Sequence, residues 1–391
     1  MKKLSKVLAL VLSAVLAFTC LTACVSEEEA AGTNTTAPAA PSQPQVQPTV
    51  EEEAALKPGE GATKAAIILG GTKDDYGFNY GMWKMAQQME TELGIEVVIK
   101  ENVPQNADVE GVMEELIAQG CRIIIPSQFG YLEYTKNVAN RNPDVAFYSI
   151  PITDYNGDNF STMHGEIQDI WYLEGVLAGL YTESNKIGFI GSIPIPDVIV
   201  AINAFTLGVQ SVNDKAEVTV VFTGKWDDTG LQTVSANQLL DKGADIIAPF
   251  QDSIKTIVEI CAQRGAHAFG CNADAYELDP STWLSACVNT GDGWIPYMRA
   301  AIEGNYETAN ISGSFDVKLQ DLATYGDSVP QEIRDQVDAV KQQIIAGEVY
   351  VFEGPVYNQA GELMFEEGYR PPIEEINMID WLVQGINGTL N

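Results

Sequence analysis

From residue 63 the chain switches repeatedly between two hydrophobic periods, and that switching limits the folds open to it. "KAAIILGG", "IEVVIKENV", "CRIIIPS" and "DVAFYSI" are short runs rich in Ile and Val. They are too short for helices and too continuously apolar for strands with one wet face, so they predict strands buried on both faces. Between them, "YGMWKMAQQMETELG", "DVEGVMEELIAQG" and "YTKNVANRNP" read as amphipathic helices. Met82, Met85, Ala86 and Met89 share one face of the first helix, which Gly94 stops; Asp108 is expected to cap the second, which Gly120 ends. The rhythm resumes near residue 160 with "DIWYLEGVLAGLYTES", "KIGFIGS", "VIVAINAFTLGVQSVN", "EVTVVFTG", "GLQTVSANQLLDKG", "ADIIAPF" and "SIKTIVEICAQRG". Small residues Gly175, Ala178 and Gly179 predict a close helix contact. The pattern implies an α/β protein with two doubly wound lobes, each a parallel sheet between helices.

Open sheets of this kind bind ligands beyond the carboxyl ends of their strands. The first strand is followed there by "GGTKDDYGFNYG", and later strands by Gln128–Phe129, Trp226–Asp228, Gln251–Asp252 and Asn272–Asp274. Amides, carboxylates and aromatic rings dominate. There is no GxGxxG and no GxxxxGK[ST], so neither a dinucleotide nor a phosphate-loop ligand is indicated. A clamp for a small, uncharged, flat and polar ligand fits these strand ends.

The N-terminus reads as a targeting signal. Lys2, Lys3 and Lys6 precede the apolar "VLALVLSAVLAF", which runs into "LTAC". This is a lipoprotein signal over residues 1–23, with Cys24 as the lipidated residue. Residues 24–61 are rich in Pro, Ser, Thr, Ala and Glu, have no aromatic residue, and predict a disordered tether. An extracytoplasmic, membrane-anchored domain follows from this reading.

The formal charge of −32 argues against a nucleic-acid partner. It also disfavours a strongly anionic ligand, since Arg and Lys nowhere cluster. Cys121, Cys261, Cys271 and Cys287 sit in apolar surroundings and read as buried thiols. No CxxC or Cys/His spacing suggests a metal, no cofactor is indicated, and His164 and His267 read as structural.

Several stretches together resemble the basic membrane protein family of solute-binding lipoproteins. They are "DDYGFNYG", "ENVPQNADVE", "YLEGVLAG", "GFIGSIPIPDVIVAINAFTLGVQSVN", "GKWDD", "GADIIAPFQDS" and "GPVYNQAGE…IDWLVQGINGTL". The resemblance covers essentially all of residues 63–390. It implies a type I periplasmic-binding-protein fold, with a ligand cleft between lobes joined by a three-stranded hinge. Lobe one is then expected at 63–152 plus 278–311, and lobe two at 155–275 plus 312–391. The implied function is capture of a purine nucleoside or base for the permease of an ABC importer, without catalysis, by a monomer. Site residues implied or read from strand ends are Asp75, Tyr76, Phe78, Asn79, Phe129, Phe205, Trp226, Gln251, Asp252 and Asp274. Where nucleoside-binding members carry a lysine, this chain has Asn289 in "SACVN", which weighs toward a free base.

Each residue also has a plainer role open to it. Phe78 can plug its loop against the core, Phe205 shares a helix with Ile202 and Val209, and Asp252 can cap the helix after it. A binder of sugars or pyrimidines, a sensor component, and a secreted nucleoside-acting enzyme built on Asp74–Asp75 or Asp227–Asp228 remain as alternatives.

Overall fold

The computed structural model describes residues 56–150 and 157–390. Cys24, the signal segment and most of the tether lie outside the described residues, as does the 151–156 stretch where the expected lobe boundary falls.

The first sheet contains β1 (Lys64–Ile68), β2 (Glu96–Lys100), β3 (Ile123–Pro126), β4 (Ala146–Ser149), β5 (Phe160–Gly165) and β11 (Asn310–Gly313). Its order is β2-β1-β3-β4-β5-β11, and every pairing is parallel. Helices cover both faces. On one side α1 (Phe78–Leu93) and α8 (Ile295–Ile302) bury Met82, Met85, Met89, Trp294 and Met298. On the other, α2 (Asp108–Ala118) and α3 (Leu132–Arg141) bury Val109, Met113, Leu116 and Val138. Gly94 ends α1 in the left-handed conformation, at φ 68°. Asp108 is the first residue of α2 and does not cap it; instead the Asn106 side chain accepts from the Asp108 N–H at 2.8 Å.

The second sheet holds β6 (Lys186–Gly191), β7 (Glu217–Phe222), β8 (Ile246–Pro249), β9 (His267–Ala268) and β15 (Ile386–Asn387), in the order β15-β7-β6-β8-β9, again all parallel. Around it lie α4 (Ile167–Tyr181), α5 (Pro196–Val212), α6 (Thr229–Asp241) and α7 (Lys255–Arg264). The expected close helix contact is present. A Cβ on Gly175 would sit 2.0 Å from the Phe205 carbonyl oxygen, so α4 and α5 meet backbone to backbone only because that position is glycine. Beyond these come α9 (Gln331–Ile345), the hairpin β13 (Val356–Tyr357) and β14 (Leu363–Phe365), and α10 (Ile373–Ile376), which all add buried side chains to the same core.

The chain passes between the sheets three times: after Gly165, between β10 (Cys287–Asn289) and α8, and between β11 and β12 (Gln320–Leu322). β10 and β12 pair antiparallel. Two segments fall on the other side from the expected boundaries. β5 belongs to the first sheet, although residues from 155 are expected in lobe two; its buried Ser161, Thr162 and His164 break up the apolar run that marks the other strands. Trp283, Leu284, Ala286 and Cys287 belong to the second core, although 278–311 is expected in lobe one. Lys57 anchors the entering chain to the first lobe through the Gly304 carbonyl (2.7 Å), and Gly59 N–H donates to Asp144 O (2.9 Å). The C-terminal strand β15 belongs to the second lobe.

Phe205 is fully buried between Phe189 and Phe269, with ring centroids at 5.4 and 6.0 Å. This corrects its assignment to the ligand site. Phe205→Ala should lower unfolding free energy by about 3–5 kcal/mol in denaturant titration. A loss below about 1 kcal/mol together with weakened ligand binding would return it to the site.

Candidate functional site

In each sheet the strand order reverses beside the first strand, between β1 and β3 and between β6 and β8. Crevices at such switch points, outside the strand carboxyl ends, are where open α/β sheets take ligands. The loops leaving those strands meet across the two lobes. Phe78 N–H donates to Asp252 O at 3.3 Å, and Ile254 N–H to Asp75 O at 3.4 Å. A Cβ on Gly77 would lie 1.9 Å from the Asp252 carbonyl oxygen, so glycine is what lets the lobes touch here.

Asp75 organises the first-lobe side. One carboxylate oxygen accepts from the N–H groups of Gly77 (2.9 Å) and Tyr80 (2.9 Å). The other accepts from the Asn79 N–H (3.0 Å) and side-chain amide (2.7 Å). Asp75 therefore ties the N-terminal turn of α1, whose first N–H groups have no helical partner, and is not free to hold a ligand. Tyr76 takes φ 58° at this sharp turn and stacks on Tyr80 at 5.2 Å. Phe78 packs partly against the first core. Asn79 is 4 % exposed; its side-chain oxygen accepts from Gly71 N–H (3.3 Å) and from the amide of Gln128 (3.4 Å). Phe129, 70 % exposed, is not drawn into this assembly.

On the second lobe, Trp226 stands edge-on to Phe250, 6.2 Å away, and its carbonyl accepts from Asp252 N–H at 2.9 Å. Gln251 is fully buried and internally engaged, donating to the Thr223 hydroxyl (3.2 Å) and accepting from the Gln232 amide (3.3 Å). Asp252 does not cap α7, which lacks a side-chain cap. Its carboxyl has no hydrogen-bond donor directed at it among the described residues. Asp274 is engaged by the Tyr276 N–H (3.1 Å) and by the Thr324 N–H (3.1 Å) and hydroxyl (2.6 Å), which makes it a brace between two loops.

Several groups here escape a reading by strand ends. Tyr80 donates across the lobes to Glu277 at 2.6 Å. A groove of about 370 Å³ opens beside that link, lined by Gly81, Lys84, Met85, Tyr276 and Asn289 among others. Asn289 donates to Asn272 (3.5 Å) and accepts from Gln320 (3.4 Å), forming an amide relay along the crossing strands. Gln320 Oε1 and the hydroxyls of Ser149 and Ser192 are buried without partners among the described residues. Buried polar groups are normally hydrogen-bonded, and Ser149 and Ser192 sit at or just past the carboxyl ends of β4 and β6. The four cysteines among the described residues, Cys121, Cys261, Cys271 and Cys287, are buried free thiols. Among the described residues no group of three or more His, Cys, Asp or Glu side chains is placed to hold a metal ion.

Burial lifts Asp252 to about 7, helped by the negative charges of Asp75 and Asp227. Burial likewise lifts Asp169 to about 6, with Glu166 and Asp316 adding to the effect. It also raises Asp75, against the pull of the N–H donors it accepts from. A carboxyl raised in the folded state favours folding most when protonated in both states. That advantage is complete below the ordinary carboxylate range and is lost as pH rises through the folded value. The ligand-free protein should therefore gain stability between pH 8 and pH 5, on the order of 2–4 kcal/mol from Asp252 alone. Asp252→Asn should flatten that profile in denaturant titrations; an unchanged slope would place the effect elsewhere.

Residues 62–351 match the family described as ABC transporter substrate-binding protein, PnrA-like. A purine-binding protein of Brucella abortus (strain 2308) is 30% identical over 334 residues, covering 84% of this chain and 93% of its own. A putative ABC transporter glucose-binding protein of Haloferax volcanii is 31% identical over 264 residues, 67% of each chain. An ABC transporter solute-binding protein from Conexibacter woesei shares the fold, with a TM-score of 0.63 and 21% identity over 74% of this chain and 98% of its own. The architecture is thus the type I periplasmic-binding-protein fold, and the role is solute binding for transport rather than catalysis. The chain belongs to the PnrA-like family of ABC transporter substrate-binding proteins.

Proposed function

We propose that this protein is a lipid-anchored extracytoplasmic receptor that captures a purine between its lobes and delivers it to an importer's permease. The observation that carries the purine assignment is the seam itself. A flat heterocycle has two apolar faces and a polar edge, and the seam joins, through backbone hydrogen bonds, the second-lobe loops that carry Trp226 and Asp252 to the first-lobe loop that carries Tyr76 and Phe78, all partly buried, with no donor on the Asp252 carboxyl among the described residues. Stacking of a base on an aromatic side chain is worth roughly 1–3 kcal/mol. An unpartnered acceptor suits the N–H groups of a base edge, and a site built on such contacts rejects analogues that lack them. The similarity to a purine-binding relative over most of both chains points the same way. A free base is favoured over a nucleoside, because Asn289 is neutral and engaged with Asn272 and Gln320. Rings and amides also suit sugars, and the similarity to a relative named as a putative glucose binder makes a sugar the second reading.

Anchoring rests on Cys24 in "LTAC" and on the following tether. No helix among the described residues is long and apolar enough to cross a membrane.

A thermal-shift screen of refolded protein against purine bases, their nucleosides, pyrimidines and simple sugars tests the ligand class. Bases at a hundredfold excess over the dissociation constant should stabilise the protein by about 2.7 kcal/mol, with smaller shifts from nucleosides; shifts from sugars alone would sink the purine reading. Trp226→Ala should weaken base binding by roughly 1–3 kcal/mol. Cys24→Ser should move the protein from the membrane fraction to the soluble fraction, and unchanged membrane recovery would refute the anchor.

A further inference from the structure

The acids at the seam differ in one respect. Asp75 and Asp274 have backbone or side-chain donors on both oxygens, and Asp228 caps α6 by accepting from Leu231 N–H at 3.0 Å. Among the described residues Asp252 has none and, unlike the exposed Asp74 and Asp227, is partly buried, while its backbone is pinned from both sides, by Trp226 O on one lobe and Phe78 N–H on the other. Its backbone is thus fixed at the seam, between the loops that carry Trp226 and Phe78, and its carboxyl is left for a ligand to satisfy.

We infer that Asp252 chooses between purine bases by its protonation state: the carboxylate takes an edge with two neighbouring N–H donors, and the carboxylic acid takes an edge with an amino donor beside a ring-nitrogen acceptor. This deepens the purine reading and rests on it. The chemistry is complementary. An ionised carboxyl only accepts, so it pairs with the N1–H and 2-amino group of a 2-amino-6-oxopurine. A protonated one donates once and accepts once, so it pairs with the N1 and 6-amino group of a 6-aminopurine.

The surroundings keep both forms within reach of neutral pH. Asp74, Asp75 and Tyr76 belong to the loop before α1, Lys225, Asp227 and Asp228 to the loop before α6, and Lys255 and Glu259 to α7. The positive groups are directed elsewhere: Lys225 is exposed, and Lys255 lies over the Tyr76 ring at 5.8 Å and 4.0 Å from Glu259. Burial and the neighbouring acids therefore dominate and hold Asp252 at about 7.

The test is fluorescence titration of the ligand-stripped protein with guanine and with adenine at micromolar concentration, from pH 5.5 to 8.5. The affinity ratio should move toward guanine by about tenfold per pH unit, the factor by which the ionised-to-protonated ratio changes. Asp252→Asn carries an amide, which offers one donor and one acceptor as the acid form does. It should keep adenine binding, lose guanine binding at least tenfold, and show a ratio that no longer follows pH. Unfolding of that variant without ligand confirms that it is folded. A ratio flat with pH in the parent protein, or equal weakening of both bases in the variant, overturns the inference while leaving a purine receptor intact. Failure of one base to bind at any pH overturns this inference alone, and failure of both overturns the purine reading with it.

Discussion

The Asp75 carboxylate holds the first-lobe wall of the site in shape. It accepts four hydrogen bonds from three residues, one each from Gly77 and Tyr80 and two from Asn79, closing the turn that leads from β1 into α1. Charge-assisted bonds of this kind are stronger than neutral ones, and a helix N-terminus favours a negative group. With that turn closed, Tyr76 is forced to positive φ, Phe78 and Asn79 are fixed at the start of α1, and Gly77 presents bare backbone to the other lobe. Without it, none of these groups would have a defined position.

The two lobes divide the work of recognition unevenly. The first supplies a preorganised loop whose polar atoms are already satisfied, from Asp75 through Asn79 to Gln128. The second supplies Trp226 and a carboxyl with no partner among the described residues. Gln232 donates to the Gln251 side chain and to the Ser253 carbonyl, so these amides hold the β8 loop rather than reach for a ligand. The seam accordingly combines a rigid side and a side with unmet hydrogen-bonding capacity, which is the asymmetry a selective binder needs.

Much of this was legible in the sequence, for identifiable reasons. Strands buried on both faces announce themselves as Ile- and Val-rich runs, so seven of the parallel strands, β1 to β4 and β6 to β8, could be anticipated in outline, and the polar groups after them marked the carboxyl end of each sheet. β5 was hidden because its inward side chains include Ser161, Thr162 and His164, which read as a linker. Phe205 was ambiguous because α5 is buried nearly all round, so helical spacing could not say which face met a ligand. Asp75 and Asp252 look alike in sequence, both acids just past a strand. Only the directions of nearby N–H groups separate the one that builds the loop from the one left open. Cross-lobe links such as Tyr80 to Glu277, 197 positions apart, leave no local trace at all.

The described chain enters through the first lobe, where Lys57 and Gly59 are fixed near Gly304 and Asp144, and finishes in the second, where β15 completes the sheet beside β7. The two ends of the folded part are therefore carried by different bodies. Any change in the angle between those bodies becomes a change in end-to-end distance. A pair of fluorophores attached at the two ends would convert ligand capture into an optical signal without altering a single residue of the site.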